Sequence, residues 1–160
     1  MARPRLLTIG YQGQKLGGFV DRLAGAGVRT LVDVRFNPFS RRPEFSRKSL
    51  EPALEKAAIR YVHLKPLGNP PASRAAAMAG DRATYVRLFR AHLATPAAQA
   101  ALREVLALAG EAAACLMCLE RRPEDCHRAM VADALAGMVA LDVQHLVPEE
   151  AAVARQPRLL

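Results

Sequence analysis

The chain predicts an α/β fold, a mostly parallel sheet of about five strands with helices on both faces, built as a single domain. Three observations carry this prediction. Short β-prone runs alternate with segments of helical periodicity, and a length of 160 residues suits one domain with a sizeable core. The third is that no apolar run reaches the roughly eighteen residues of a membrane span. The domain is expected over residues 1–147, with residues 148–160 as a weakly periodic, loosely docked tail.

The elements follow in order. Leu6-Leu7-Thr8-Ile9 is a β-prone run that stops at Gly10, and Leu16, Phe19, Val20 and Leu23 then recur at helical spacing until Gly25 and Gly27. Thr30 to Val34 is the second strand, followed by a polar loop through Asn37-Pro38 to Phe45-Ser46. A helix runs from there to Ala58, and Ser49 is the expected N-cap because it places Pro52 in the first turn, where a missing N–H costs little. Arg60 to Leu64 is the third strand. Residues 65–80, with prolines, glycines and an alanine run, read as a long loop holding one helical turn at most. A helix spans Asp81 to Leu93, and Thr95-Pro96 supplies an N-cap and a first-turn proline for another that ends at Gly110. Ala113 to Leu119 is a strand, Cys126 to Gly137 a helix and Ala140 to Val147 the last strand. No internal repeat is found.

Composition bounds the function. With 51% hydrophobic and 24% charged residues the chain is globular, and its N-terminus lacks the apolar core of a signal peptide, so the expected location is the cytoplasm. Three cysteines in a reducing compartment argue against a disulfide framework and for buried, reactive or metal-bound thiols. A net charge of +8 favours anionic partners, a small molecule or a nucleic acid, although all but four of the 23 basic residues are arginine, a bias that coding sequence alone can produce. No membrane partner is expected.

In parallel α/β sheets ligands bind beyond the carboxyl ends of the strands. Every unusual polar side chain here falls at such an end. Tyr11 follows the first strand, Asp33 and Arg35 close the second, His63 closes the third, and Cys118 with Glu120 closes the fourth. Cys126, His127 and Arg128 open the helix after it, where free N–H groups favour thiolates and bound anions. Cys115 and Cys118 have C-x-x-C spacing but lie in one strand, so they face opposite sides of the sheet, and Cys115 reads as a buried hydrophobe.

Thr8-Ile9-Gly10-Tyr11, Val32-Asp33-Val34-Arg35 with Pro38-Phe39-Ser40-Arg41-Arg42, Tyr61-Val62-His63, Leu67-Gly68, and Cys118-x-Glu120 with Cys126-His127-Arg128 together resemble the domain-of-unknown-function family 488 over about residues 6–147. The resemblance implies a compact prokaryotic α/β domain in the cytoplasm, and that family has no settled activity.

From the residues themselves an enzyme is preferred, acting on a phosphate- or carboxylate-bearing substrate, with a nucleotide or nucleic acid among the candidates. Cys118, Glu120, Cys126, His127 and Asp33 are the expected catalytic groups, and Tyr11, Arg35, His63, Arg41, Arg42 and Arg128 the expected substrate contacts. No cofactor or metal is assigned. Zinc held by Cys118, Cys126 and His127 with His63 or Glu120 is an alternative, set lower because adjacent helical residues point about 100° apart. The bland alternatives are an Asp33–Arg35 ion pair, Glu120 paired with Arg121 or Arg128, and thiols that merely pack. A rival class is a non-catalytic nucleic-acid module, using Arg41 to Lys48 and Arg121-Arg122 for phosphates and Phe36, Phe39 and Phe45 for base stacking.

Overall fold

A computed structural model describes residues 3–147. Five strands, β1 (Arg5–Gly10), β2 (Thr30–Asp33), β3 (Arg60–His63), β4 (Ala114–Cys118) and β5 (Asp142–Leu146), form one sheet in the order β3-β2-β4-β1-β5. All its pairings are parallel, as the strand and helix alternation predicts. The central strands are apolar runs because both of their faces are covered. Helices α1 (Leu16–Gly25) and α2 (Arg47–Lys56) pack on Leu7, Ile9, Leu31, Cys115 and Met117. Helices α4 (Arg82–Leu93), α5 (Pro96–Glu111) and α6 (His127–Met138) pack on Leu6, Val32, Leu116 and Cys118. Cys115 and Cys118 therefore sit in different cores, as strand alternation requires. No helix of the described residues is long and apolar enough to cross a membrane. The tail expected at 148–160 lies outside the described residues.

Local signals place most boundaries. Gly27, at φ +80°, ends α1, its N–H and that of Val28 closing on the carbonyls of Ala24 and Leu23. Thr95 Oγ1 accepts from Ala98 N–H, so the cap predicted there forms, and the Asp81 carboxylate caps α4 by accepting from Thr84 N–H.

Two elements differ from expectation. Helix α2 has its N-cap at Ser46, not Ser49, which leaves Pro52 inside it. Burial of Phe45 against Tyr11 and Phe19, together with the Arg47 N–H bond to Pro38 O, turns the chain there. The acceptor orphaned by proline belongs to exposed Lys48, where water can meet it. Residues 65–80 are not a loop: they contain a 3₁₀ turn at Lys65–Leu67 and helix α3 (Pro71–Met78). Proline at the first helical position followed by a run of alanines favours a helix strongly enough to override the loop reading.

Against the expectation of no internal repeat, a short one links the two crossovers that shape the sheet's carboxyl edge. Arg41-Arg42-Pro43-Glu44-Phe45-Ser46 and Arg121-Arg122-Pro123-Glu124-Asp125-Cys126 each form a 3₁₀ turn whose last residue caps a helix, at Arg47 and His127 respectively. Eight positions separate Asp33 from Arg41 but four separate its sheet partner Met117 from Arg121. The surplus in the first crossover carries Phe36, Asn37 and Phe39.

Phe45 stacks on Tyr11 at 4.6 Å and meets Phe19 edge-on at 5.2 Å, with no exposed surface. Phe45→Ala is expected to cost about 3–5 kcal/mol of stability in urea denaturation; a loss below about 1 kcal/mol would contradict its place as the keystone of this crossover.

Candidate active site at the carboxyl edge of the sheet

Because β4 lies between β1 and β2, the ends of three strands converge. At β2, the fully buried Asp33 receives Arg35 Nε at 2.9 Å and Nη2 at 2.7 Å, Arg35 N–H at 3.0 Å, and the Tyr61 hydroxyl at 2.5 Å. Arg35 Nη1 also donates to Phe45 O at 2.8 Å. Burial disfavours the Arg35 cation, but the Asp33 carboxylate more than offsets this and holds its pKa raised. Burial, then the Asp33 charge, pushes the Tyr61 phenol up as well. The ion pair weighed from sequence therefore forms, and both oxygens of Asp33 are engaged within it. His63 Nε2–H donates to Arg35 O at 2.8 Å, bracing the same loop from β3.

At β4 the brace is Arg128. It is fully buried and has no carboxylate partner among the described residues. Its guanidinium donates instead to Thr8 Oγ1, Glu120 O and Arg121 O, clamping the cysteine loop over the end of β1. Tyr11 and Gln12 N–H groups complete the contact on Cys118 O and Leu119 O. Gly10 permits it, since a Cβ there would overlap the Glu120 carbonyl. The neighbouring Thr8 hydroxyl lies 2.6 Å from His145 Nδ1.

This clamp gathers the chemical groups. Cys118 Sγ lies 3.6 Å and Cys126 Sγ 3.7 Å from His127 Nδ1, and Cys118 Sγ lies 3.5 Å from Glu120 Oε2. His127 Nε2 is 2.6 Å from Val34 O. A carbonyl only accepts, so Nε2 carries a proton and Nδ1 faces the sulfurs. Burial, then hydrogen bonding and charge from Cys126, holds the Cys118 pKa well up. For Cys126 burial acts in the same sense, but the Cys118 thiol, His127 and the Arg128 N–H outweigh it and leave its pKa well lowered. Burial opposes the imidazolium of His127, yet the Cys126 sulfur raises its pKa. Burial, then Cys126, raises Glu120. Its carboxylate forms none of the ion pairs among the described residues; Arg128 takes the backbone oxygen instead.

A pocket of about 450 Å³ opens on this cluster. Of the residues singled out in the sequence, Tyr11, Arg35, Cys118, Glu120 and His127 line it. Cys126 lies behind them, buried against His127. Asp33, His63 and Arg128 do not line the pocket and hold its walls by the bonds above. Arg41 and Arg42 also lie off it. Arg42 pairs with Glu44 at 2.9 Å and covers the Phe45 ring, and Arg47 pairs with Glu51, so the basic patch spends part of its charge on itself. Of the three phenylalanines considered for stacking, Phe45 is core, whereas Phe36 and Phe39 line the pocket. The sequence reading missed Asn37, Asn69, Arg74 and Met78. Arg74 and Met78 were hidden by reading α3 as loop; the proline–alanine helix signal would have found them.

A family model, described as domain of unknown function DUF488, matches residues 15–135. The chain belongs to the DUF488 family. The match takes in β2, β3, β4 and most of α6, hence every pocket residue except Tyr11. Comparisons with curated proteins and with solved structures gave no match to this DUF488 chain.

Two outcomes follow from the clamp. Gly10→Ala forces β1 away from Glu120 and is expected to cost at least about 1–3 kcal/mol, with faster hydrogen exchange at the Tyr11 and Gln12 amides; unchanged exchange would contradict the close approach. Burial, then the Arg128 charge, lowers the His145 pKa. Since its unfolded form binds the proton more readily, stability is present above the unfolded histidine pKa and falls as pH drops towards the folded one. His145→Gln should flatten that acid-side slope in denaturation curves taken across the range.

Proposed function

We propose that this chain is an enzyme acting on a phosphate- or carboxylate-bearing substrate, bound at the carboxyl edge of the sheet, with Cys118, Cys126, His127 and Glu120 as its reactive group. One observation carries the reading: a single pocket of about 450 Å³ has Cys118, His127 and Glu120 on its wall together with Arg35 and Arg74. That volume is in the range of small-molecule sites.

The division of labour follows from the bonding. Arg74 makes no ion pair among the described residues and projects from α3, so its fork is free to take an anion. Arg35 uses three of its five N–H groups on Asp33 and Phe45, which fixes its orientation and leaves two for a ligand. Exposed Phe39 and Met78 offer an apolar rim for the remainder of the substrate, and a nucleotide base is a moiety that fits such a rim. The placement of the chain in a reducing cytoplasm accords with its three free cysteines.

Calorimetric titration with inorganic phosphate tests the reading. Wild-type protein is expected to bind, and Arg74→Ala to weaken binding roughly 10- to 100-fold, the worth of one charged hydrogen-bonding group. Equal affinity in the two proteins would overturn the anion assignment. A single-stranded oligonucleotide that binds wild type and Arg74→Ala alike, and loses affinity steeply between low and moderate salt, would favour the nucleic-acid module instead.

A further inference from the structure

A single hydrogen bond to His127 does not account for the arrangement of the two sulfurs around it. Nδ1 has one lone pair in the ring plane, so it accepts one thiol well, yet Cys118 and Cys126 stand almost equidistant from it, at 3.6 and 3.7 Å. A tetrahedral zinc ion, with bonds of about 2.3 Å to sulfur and about 2.0–2.1 Å to nitrogen, spaces those donors about 3.5 Å apart. It spaces a sulfur and a carboxylate oxygen about 3.6 Å apart, and Glu120 Oε2 lies 3.5 Å from Cys118 Sγ. The donor atoms of Cys118, Cys126 and His127 all lie within 4.8 Å of one another.

The backbone removes the objection from helix geometry. Cys126 is the N-cap residue, extended at φ −133°, ψ 146°, and only His127 is helical. The two side chains are therefore not on adjacent spokes of a helical wheel and converge. The bond from His127 Nε2–H to Val34 O is the outer-shell contact that fixes a metal-binding imidazole in the right tautomer. Glu120 pairs with no cation among the described residues, and the nearby Arg128 is satisfied by carbonyls and Thr8.

We infer that Cys118 Sγ, Cys126 Sγ and His127 Nδ1 bind a divalent transition-metal ion of the zinc class, with the fourth position beside Glu120 and open to the pocket. Three protein donors and one open position are the composition of a catalytic rather than a structural site. The ion would polarise a substrate oxygen or a bound water there. Cys115, in the opposite core, takes no part. The inference rests on the enzyme reading only for what enters the fourth position.

Titration of metal-free protein with cobalt(II) tests it, followed by the visible ligand-field bands and the sulfur-to-cobalt charge-transfer band. One equivalent is expected to bind with tetrahedral intensity and thiolate charge transfer, and zinc(II) to displace it. Cys118→Ser and Cys126→Ser should each lower affinity by more than the roughly 10- to 100-fold that follows loss of an outer-shell partner, while Cys115→Ser binds as wild type. Substoichiometric binding by wild-type protein, or a spectrum without thiolate charge transfer, overturns the metal site whether or not the serine variants fold. Inorganic phosphate is then added to the cobalt protein, and a shift of the ligand-field bands is expected. Cobalt bound without any phosphate effect, and phosphate not bound elsewhere, leaves the metal site standing and removes the anionic substrate. Phosphate bound through Arg74 in protein that takes up no cobalt removes the metal site alone.

Discussion

The Arg128 guanidinium is sealed from water with no carboxylate among the described residues to neutralise it, and its donors are met by neutral acceptors held in place by the fold. Desolvating a cation this way is costly unless its hydrogen bonds are made. The acceptors that meet it are one hydroxyl on β1 and two carbonyls of the cysteine loop, so satisfying the charge and placing the loop are the same event. The loop can come so close only because Gly10 has no side chain. Cys118, Glu120, Cys126 and His127 occupy their relative positions as a consequence. The Asp33–Arg35 pair plays the corresponding part at β2, with the carboxylate supplied locally and Tyr61 and Phe45 completing its bonds.

The two crossovers are variations on one turn. Each closes with Arg-Arg-Pro-Glu, a 3₁₀ turn and a capping residue, which is Ser46 in one and Cys126 in the other. Ser46 spends its hydroxyl within its own loop, accepting from Ser40 N–H at 2.9 Å. Cys126 instead points its sulfur at His127. The same backbone device thus anchors a loop on one side and presents a thiol on the other. The four extra residues of the first crossover supply a wall of the pocket that the second opens onto.

The candidate site was partly legible because strand ends in a parallel sheet share one edge, which let Tyr11, Arg35, Cys118, Glu120 and His127 be placed together without knowing the strand order. Asp33, His63 and Arg128 were drawn to the same edge by the same logic, but proximity does not say which atoms a side chain spends on its neighbours. Asp33 has no free oxygen and Arg128 no exposed atom. The capping role of Cys126 was present in the sequence as the repeated turn, yet it becomes informative only beside its twin, and α3 was lost when prolines and glycines were weighed above the alanine run between them.

By itself the sequence determined the α/β class, the parallel sheet, most element boundaries and the separation of Cys115 from Cys118, because these follow from local propensity and from periods of 2 and 3.6 residues. Tertiary structure decided the strand order, the approach of Gly10 to the cysteine loop, the entry of Arg74 into the pocket and the convergence of two sulfurs on one ring nitrogen. Those depend on contacts between residues as much as 120 positions apart and on which buried donors find acceptors, and neither is written in the periodicity of any one segment.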